Sequence, residues 1–219
     1  MRKSSKKQFL VLGLGRFGGS LARSLCKMGH EVLAVDMDGE TVEDIAPYVT
    51  QAVQANATDE EALQTMGVNN FDVAVVGIGA VRDSILVTVL CKEAGVPYVL
   101  AKAVDDLHAK VLRKVGADRV VFPERDMGAR VAKSLVTPSI LDMMELADNY
   151  QIAEVMTPSS WCGRTLVDVN VRRNYGLSVL AIHRGKDFFA SPGADTMLRE
   201  GDVLLVLGKQ ASIDAIEQQ

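Results

Sequence analysis

Phe9-Leu-Val-Leu-Gly-Leu-Gly-Arg-Phe-Gly18, followed by Glu31-Val-Leu-Ala-Val-Asp36, decides how this chain folds. An apolar strand runs into the spacing G-x-G-x-x-G, a helix follows, and a second apolar strand ends in an acid. Each part has a physical task. Gly13 allows a tight turn, Gly15 lets the backbone approach a phosphate, and Gly18 lets the helix pack close to the strand. Phosphate oxygens would sit at the helix N-terminus, where unpaired N–H groups and the helix dipole favour negative charge. Asp36 would accept hydrogen bonds from ribose hydroxyls. The glycine spacing alone is weak evidence, because glycines also make close strand–helix turns. With both strands and the acid in place it reads as a nucleotide site.

Outward from this unit, strand and helix patterns alternate. Strands are predicted at residues 9–12, 32–35, 51–54, 73–76, 98–102 and 119–122, and helices at 17–28, 39–48, 59–66, 82–94 and 106–115. Gly29 marks the end of the first helix, and Thr58-x-x-Glu61 reads as a capping box before the third. The pattern predicts an α/β architecture: a Rossmann-like, doubly wound parallel six-stranded sheet in the order 3-2-1-4-5-6. The fourth helix, with Ile85-Leu-Val-Thr-Val-Leu-Cys91, is apolar nearly all the way round, which predicts burial on both sides. One side would meet the sheet; the other would meet a second subunit or the chain's own C-terminal part.

A helix over 124–136 follows Pro123; Pro138 then breaks it, and a second helix is expected over 140–147. From Asn149 the signals change to short strands at 152–156, 178–183 and 203–207, separated by turns at 184–187 and 191–193. These predict a second, smaller α+β C-lobe. The expected division is an N-lobe at 8–137, a connecting crossover helix at 138–148 and a C-lobe at 149–219.

The 219 residues are 48% hydrophobic and 24% charged, with a net charge of -4, which suits a soluble globular protein and gives no reason to expect nucleic acid. Arg2-Lys-Ser-Ser-Lys-Lys7 reads as a solvated basic tail. No leader and no apolar run of about 18 residues is visible, so no membrane insertion is expected. The 3 cysteines include no C-x-x-C pair, and a cytoplasmic location follows.

Ligands of open parallel sheets bind beyond the carboxyl ends of the strands. Those ends offer Gly13, Gly15, Arg16, Phe17 and Gly18, then Asp36 and Asp38, then Asn56, Ala57 and Thr58, then Gly77, Ile78 and Gly79, then Lys102. The Arg16 guanidinium suits the terminal phosphates of a nucleotide, its own or a neighbour's. Glu124 either helps to hold a hard cation beside a polyphosphate or is a favourable acid in the first turn after Pro123. His30, His108 and His183 lack a convincing acid or nucleophile partner, and no catalytic residue is assigned. Binding without turnover is the preferred reading, so the chain is not expected to be an enzyme. An NAD(H)-binding redox enzyme or sensor is the alternative, since Asp36 suits NAD as well as adenosine. A scaffold in which nucleotide is only structural is a third reading.

Gly13-Leu-Gly-Arg-Phe-Gly-Gly19, Val35-Asp36, Ala55-Asn-Ala-Thr58, Ala74-Val-Val-Gly-Ile-Gly79, Ala101-Lys102 and Gly116-Ala-Asp-Arg-Val-Val-Phe-Pro-Glu-Arg-Asp126 together resemble the N-lobe of RCK (KTN) domains. Leu166-Val-Asp-Val-Asn-Val-Arg-Arg173 and Gly201-Asp-Val-Leu-Leu-Val-Leu-Gly208 resemble the TrkA-C (RCK C) lobe. The whole is similar to the cytosolic regulatory subunits of Ktr/Trk-type potassium uptake systems. The resemblance implies a homodimer assembling into an octameric ring, peripheral to the inner face of the membrane through a K+-translocating partner. It implies activation by ATP and inactivation by ADP, with Arg16 reaching the γ-phosphate across the dimer and Glu124 near a divalent or monovalent cation. It also implies inhibition by cyclic di-AMP at the C-lobe, for which Val167, Asn170, Arg172, Arg173, Asn174 and Pro192 are the matching candidates. Phe122 stands where many relatives carry His before Pro-Glu.

Overall fold

A computed structural model describes residues 6–136, 140–147 and 149–218. The chain divides into two compact units, Met1–Asp126 and Met127–Gln219. In the first, strands and helices alternate: β1 (Gln8–Leu12), α1 (Arg16–Lys27), β2 (Glu31–Asp36), α2 (Gly39–Ile45), β3 (Gln51–Gln54), α3 (Glu60–Thr65), β4 (Val73–Val76), α4 (Val81–Glu93), β5 (Tyr98–Lys102), α5 (Asp106–Lys114) and β6 (Arg119–Val121). The six strands are parallel in the order β3-β2-β1-β4-β5-β6, as their alternation predicts. α6 (Pro123–Val136) begins at its proline, where a missing N–H costs nothing.

Both faces of this sheet are buried, so the strands are apolar throughout. Leu10, Leu12, Val35 and Val76 point to one face, where Leu63, Val87, Cys91 and Leu112 of α3, α4 and α5 cover them. Val11, Ala34 and Val75 point to the other, against Ala22 of α1 and Ile45 of α2. Each fully buried leucine or valine contributes about 1.5–3 kcal/mol of transfer free energy.

Helix ends follow from local chemistry. Gly29 ends α1 at φ +89°, its N–H donating to the Cys26 carbonyl over 2.9 Å. The cap of α3 is Asp59, not Thr58: its Oδ1 accepts from Glu61 N at 3.0 Å and Ala62 N at 3.4 Å. Thr58 instead donates its hydroxyl to Asn56 Oδ1 at 2.8 Å. The aspartate one position on stands at the N-cap, where its carboxylate reaches the free N–H groups and takes the role.

α4 is not buried on both sides within its own unit. Val87 and Cys91 are buried but Leu86 is 41% exposed, and two polar residues, Ser84 and Thr88, lie on the inner face. They are satisfied there: Thr88 Oγ1 donates to the Ser84 carbonyl, and Ser84 Oγ lies 2.8 Å from Nε2 of buried His108. The Val104 N–H donates to His108 Nδ1, which assigns the proton to Nε2. Burial holds His108 below the ordinary histidine value, against the opposing charge of Asp105. This histidine joins α4 to α5 as a neutral structural group.

The second unit contains β7 (Ile140–Ala147), β8 (Tyr150–Met156), α7 (Leu166–Val169), α8 (Val171–Tyr175), β9 (Ser178–Arg184), β10 (Asp187–Ala190), β11 (Val203–Lys209) and α9 (Gln210–Asp214). The five strands form one antiparallel sheet in the order β10-β9-β11-β8-β7. Residues 140–147 are therefore a strand, which corrects the expected crossover helix; positions 138, 139 and 148 lie outside the described residues. Leu, Met, Glu and Ala favour a helix by intrinsic propensity, but pairing along β8 outweighs a preference worth tenths of a kcal/mol per residue. β10 is a further strand, formed because Gly185 at φ +61° turns 184–187 into a tight hairpin. The core of this unit gathers Trp161, Leu177, Ile182, Leu198, Leu204 and Ile213.

One ion pair is built into that core. Asp202 is 0% exposed and accepts two hydrogen bonds from Arg184, Nε to Oδ1 and Nη2 to Oδ2, each 2.7 Å, plus the Arg199 N–H at 2.9 Å. The Arg184 hydrogen bonds hold the Asp202 carboxyl below its ordinary value of 3.8. A lowered folded pKa means that the stabilisation is complete above 3.8 and is lost as pH falls through the folded value. Asp202→Asn should lower stability at pH 7 by about 2–4 kcal/mol, because a half-buried guanidinium loses its counter-ion. It should also flatten the acid dependence. The chain's 1 tryptophan is Trp161, so its fluorescence in urea titrations reads this unit directly.

Candidate functional site

The carboxyl ends of the parallel strands open into a cleft of about 400 Å³. β1 contributes Gly13 and the turn into α1 contributes Gly15, Arg16 and Phe17. β2 ends in Val35, Asp36 and Met37; beyond β3 come Ala55, Asn56, Ala57 and Thr58. Gly77, Ile78 and Gly79 follow β4, Lys102 ends β5, and Asp83 and Glu124 come from the first turns of α4 and α6. The cleft lies where β1 pairs with β2 on one side and with β4 on the other, the point at which strand order reverses.

The glycine loop is shaped by close backbone approach. Gly13 sits at φ +89°. A Cβ on Gly18 would lie 1.9 Å from the Gly13 carbonyl oxygen, and one on Gly77 would lie 2.7 Å from the same atom. Three segments, β1, α1 and the end of β4, thus meet at a single carbonyl that no side chain could share. A Cβ on Gly15 would meet nothing within 4 Å, so that position faces open space. Gly15 is the N-cap of α1 and offers no side-chain cap, and the first turn holds no acid. α2, α3 and α5 are each capped by an aspartate. The N–H groups at the start of α1 are therefore left to an anion from outside the helix, which fits a nucleotide phosphate.

Asp36 ties the acid to the loop. Its Oδ2 accepts from Leu14 N at 2.6 Å and its Oδ1 from Asp38 N at 3.0 Å. Each oxygen keeps a lone pair for a ribose hydroxyl. Asn56 Oδ1 accepts from the Thr58 N–H at 3.0 Å, holding the β3 loop against the cleft. Lys102 Nζ lies 3.1 Å from Glu124 Oε1. The Glu124 carboxyl is held below the ordinary glutamate value by its own backbone N–H, then by Lys102 and more weakly by Arg16. Among the described residues no group of three or more His, Cys, Asp or Glu side chains could hold a metal ion. A cation beside Glu124 would need further oxygens from elsewhere, and phosphate groups are of that kind.

The family follows from the chain itself and its relatives. The TrkA-N domain matches residues 9–123 and the TrkA-C domain matches residues 151–219. The chain is 43% identical to the Ktr system potassium uptake protein A of Bacillus subtilis, over 100% of this chain and 99% of that one. It belongs to the RCK regulatory family of Ktr and Trk potassium uptake systems. It is also 41% identical to the Ktr system potassium uptake protein C of the same organism, over 98% and 97% of the two chains. The crystal structure of the GsuK RCK domain shares the fold, with a TM-score of 0.67 at 19% identity, covering 100% of this chain and 48% of that one.

Most sequence-derived candidates converge on the cleft, and two do not. Gly18 is packed beneath the loop instead of lining it, and Asp38 is used as the cap of α2, its carboxylate accepting from Glu40 N and Thr41 Oγ1. Met37 and Asp83 line the cleft without having been candidates. Met37 follows the acid that ends β2, and Asp83 is an acid in the first turn after Gly77-x-Gly79, so both had a positional signal. In the second unit, backbone bonds from Leu166 N to Thr196 O and from Val167 N to Ala194 O bring α7 beside 194–196, near Pro192. Asn170 adopts φ +50°, and Arg172 and Arg173 are exposed on α8. Asn174 spends its amide on the Val169 carbonyl at 2.7 Å. Gly18→Ala should destabilise the first unit by about 3 kcal/mol or more, since a backbone oxygen cannot move aside as a side chain can. Circular-dichroism melting of the variant checks this; an unchanged transition would contradict the close-approach geometry.

Proposed function

We propose that this chain is the nucleotide-gated regulatory subunit of a membrane K+ uptake system, a binding protein and not an enzyme. The observation that carries the proposal is the cleft itself: an uncapped helix start behind a glycine loop, an acid for the ribose, and Arg16 and Lys102 for phosphates. Full-length similarity to Ktr system proteins supports the potassium-transport role. Two chains form a dimer, for which the exposed Leu86 of α4 offers an apolar contact, and dimers assemble into an octameric ring beneath a K+-translocating partner. No helix among the described residues is long and apolar enough to cross a membrane, and the ring acts from the inner face through that partner.

Gating follows from differential binding. ATP favours the active ring and ADP the inactive one, and a ligand shifts a two-state equilibrium only by its difference in affinity for the two states. Arg16 is placed to supply that difference. It borders the cleft and also the groove between α1 and α2 lined by Ser20, Arg23 and Asp44, so it stands at the rim, within reach of a neighbouring subunit's γ-phosphate. Glu124 takes part in holding a cation at the polyphosphate. In the C-lobe, Val167, Asn170, Arg172, Arg173 and Pro192, with Asn174 as a support for the backbone, form the cyclic di-AMP site that shuts transport down.

Arg16→Ala should make the ATP-bound and ADP-bound assemblies alike in small-angle scattering while ADP affinity falls by less than about threefold, since a rim side chain contributes little to holding the diphosphate. An ATP-specific change of shape that persists in the variant would remove Arg16 from the mechanism.

A further inference from the structure

The cleft carries an anion of its own. Its two cationic lining side chains are Arg16 and Lys102, and Glu124 stands against both, 3.1 Å from Lys102 Nζ and within electrostatic reach of Arg16. The Lys102–Glu124 pair is unequal. The Lys102 side chain is only 14% exposed at the end of β5, whereas Glu124 is 61% exposed in the first turn of α6. An ammonium on a largely buried side chain is costly to leave without a counter-ion, while an exposed carboxylate at a helix N-terminus is stable with or without a lysine. Lys102 therefore depends on Glu124 more than Glu124 depends on Lys102.

A phosphate group meets the same demand. It is compact, negative and able to accept from an ammonium, which serves as a point charge and makes no fixed fork. It also repels a carboxylate that already occupies the spot. Because Glu124 is exposed and an exposed ion pair contributes little, turning it outward is cheap compared with leaving Lys102 unpaired.

We infer that Glu124 is a built-in competitor for Lys102, holding the ammonium in the ligand-free cleft until a nucleotide polyphosphate displaces it. The inference rests on the nucleotide reading above and concerns the cation-free first step of binding; once released from Lys102, the Glu124 carboxylate is available to the cation that the polyphosphate brings. It makes Lys102 a specificity element: a ligand must bring a phosphate that outbids the carboxylate, so adenosine gains nothing at this position.

The test is calorimetric titration of ADP into the purified chain in EDTA, which removes any cation, with adenosine as the phosphate-free probe. Glu124→Gln keeps the side-chain shape and removes the charge. It should tighten ADP about threefold to tenfold and leave adenosine unchanged. Lys102→Gln should weaken ADP, and in that background Glu124→Gln should change ADP affinity by less than about twofold. Equal tightening in both backgrounds would show general charge repulsion and overturn competition for Lys102. Unchanged or weaker ADP binding by Glu124→Gln overturns it as well; melting curves and a Glu124→Ala variant exclude misfolding as the cause. Those outcomes leave the nucleotide reading standing. A wild-type chain that binds no ADP at all defeats that reading, and the inference with it.

Discussion

The Gly13 carbonyl oxygen is where three backbone segments come closest, and the rest of the first unit is arranged around that contact. A Cβ on Gly18 would intrude to 1.9 Å of it and a Cβ on Gly77 to 2.7 Å, so α1 and the end of β4 can approach β1 only because both positions lack side chains. That approach sets the start of α1 directly over the strand ends. Gly15 then faces open space, and the helix start, which has no side-chain cap, borders the cleft. One steric constraint thus produces both a tightly wound sheet–helix packing and an anion-binding position.

Charge around this position is arranged in layers. Asp36 is bound to the loop through Leu14 N, so the acid that would meet a ribose also fixes the turn that would meet a phosphate. A substitution there would alter the loop together with the sugar contact. Lys102 and Glu124 sit across the cleft as a ready-made pair, and Arg16 stands at the rim. Nothing in this set resembles an acid–base or nucleophilic constellation. His108, the one buried histidine, is occupied on both nitrogens in joining α4 to α5. The arrangement suits recognition of a charged ligand.

The sheet order and the cleft were legible because each rests on a strong local signal. Apolar runs broken at regular spacing define β1 to β6, and Gly13, Asp36, Asn56 and Lys102 fall at their carboxyl ends. The misreadings arise where local preference and tertiary pairing disagree. Residues 140–147 have helix-forming composition, and only the presence of β8 as a partner makes them a strand. β10 is four residues long and follows a turn, so nothing short of the hairpin geometry at Gly185 distinguishes it from a loop. Asp38 is a polar residue beside the site, and spacing alone does not tell a helix cap from a ligand contact. Exposed Leu86 belongs to the same class, since a sequence that reads as buried on both sides is buried on one within its own unit.

The central claim, that the cleft reads which adenine nucleotide is present, is tested most directly by titrating the purified chain with ATP, ADP and NADH while following heat and particle dimensions together. The account predicts one site per chain for ATP and ADP, competition between them, and different assembly dimensions in the two saturated states. Tight NADH binding with no response to ATP would contradict it and would place the chain among NAD(H)-dependent proteins.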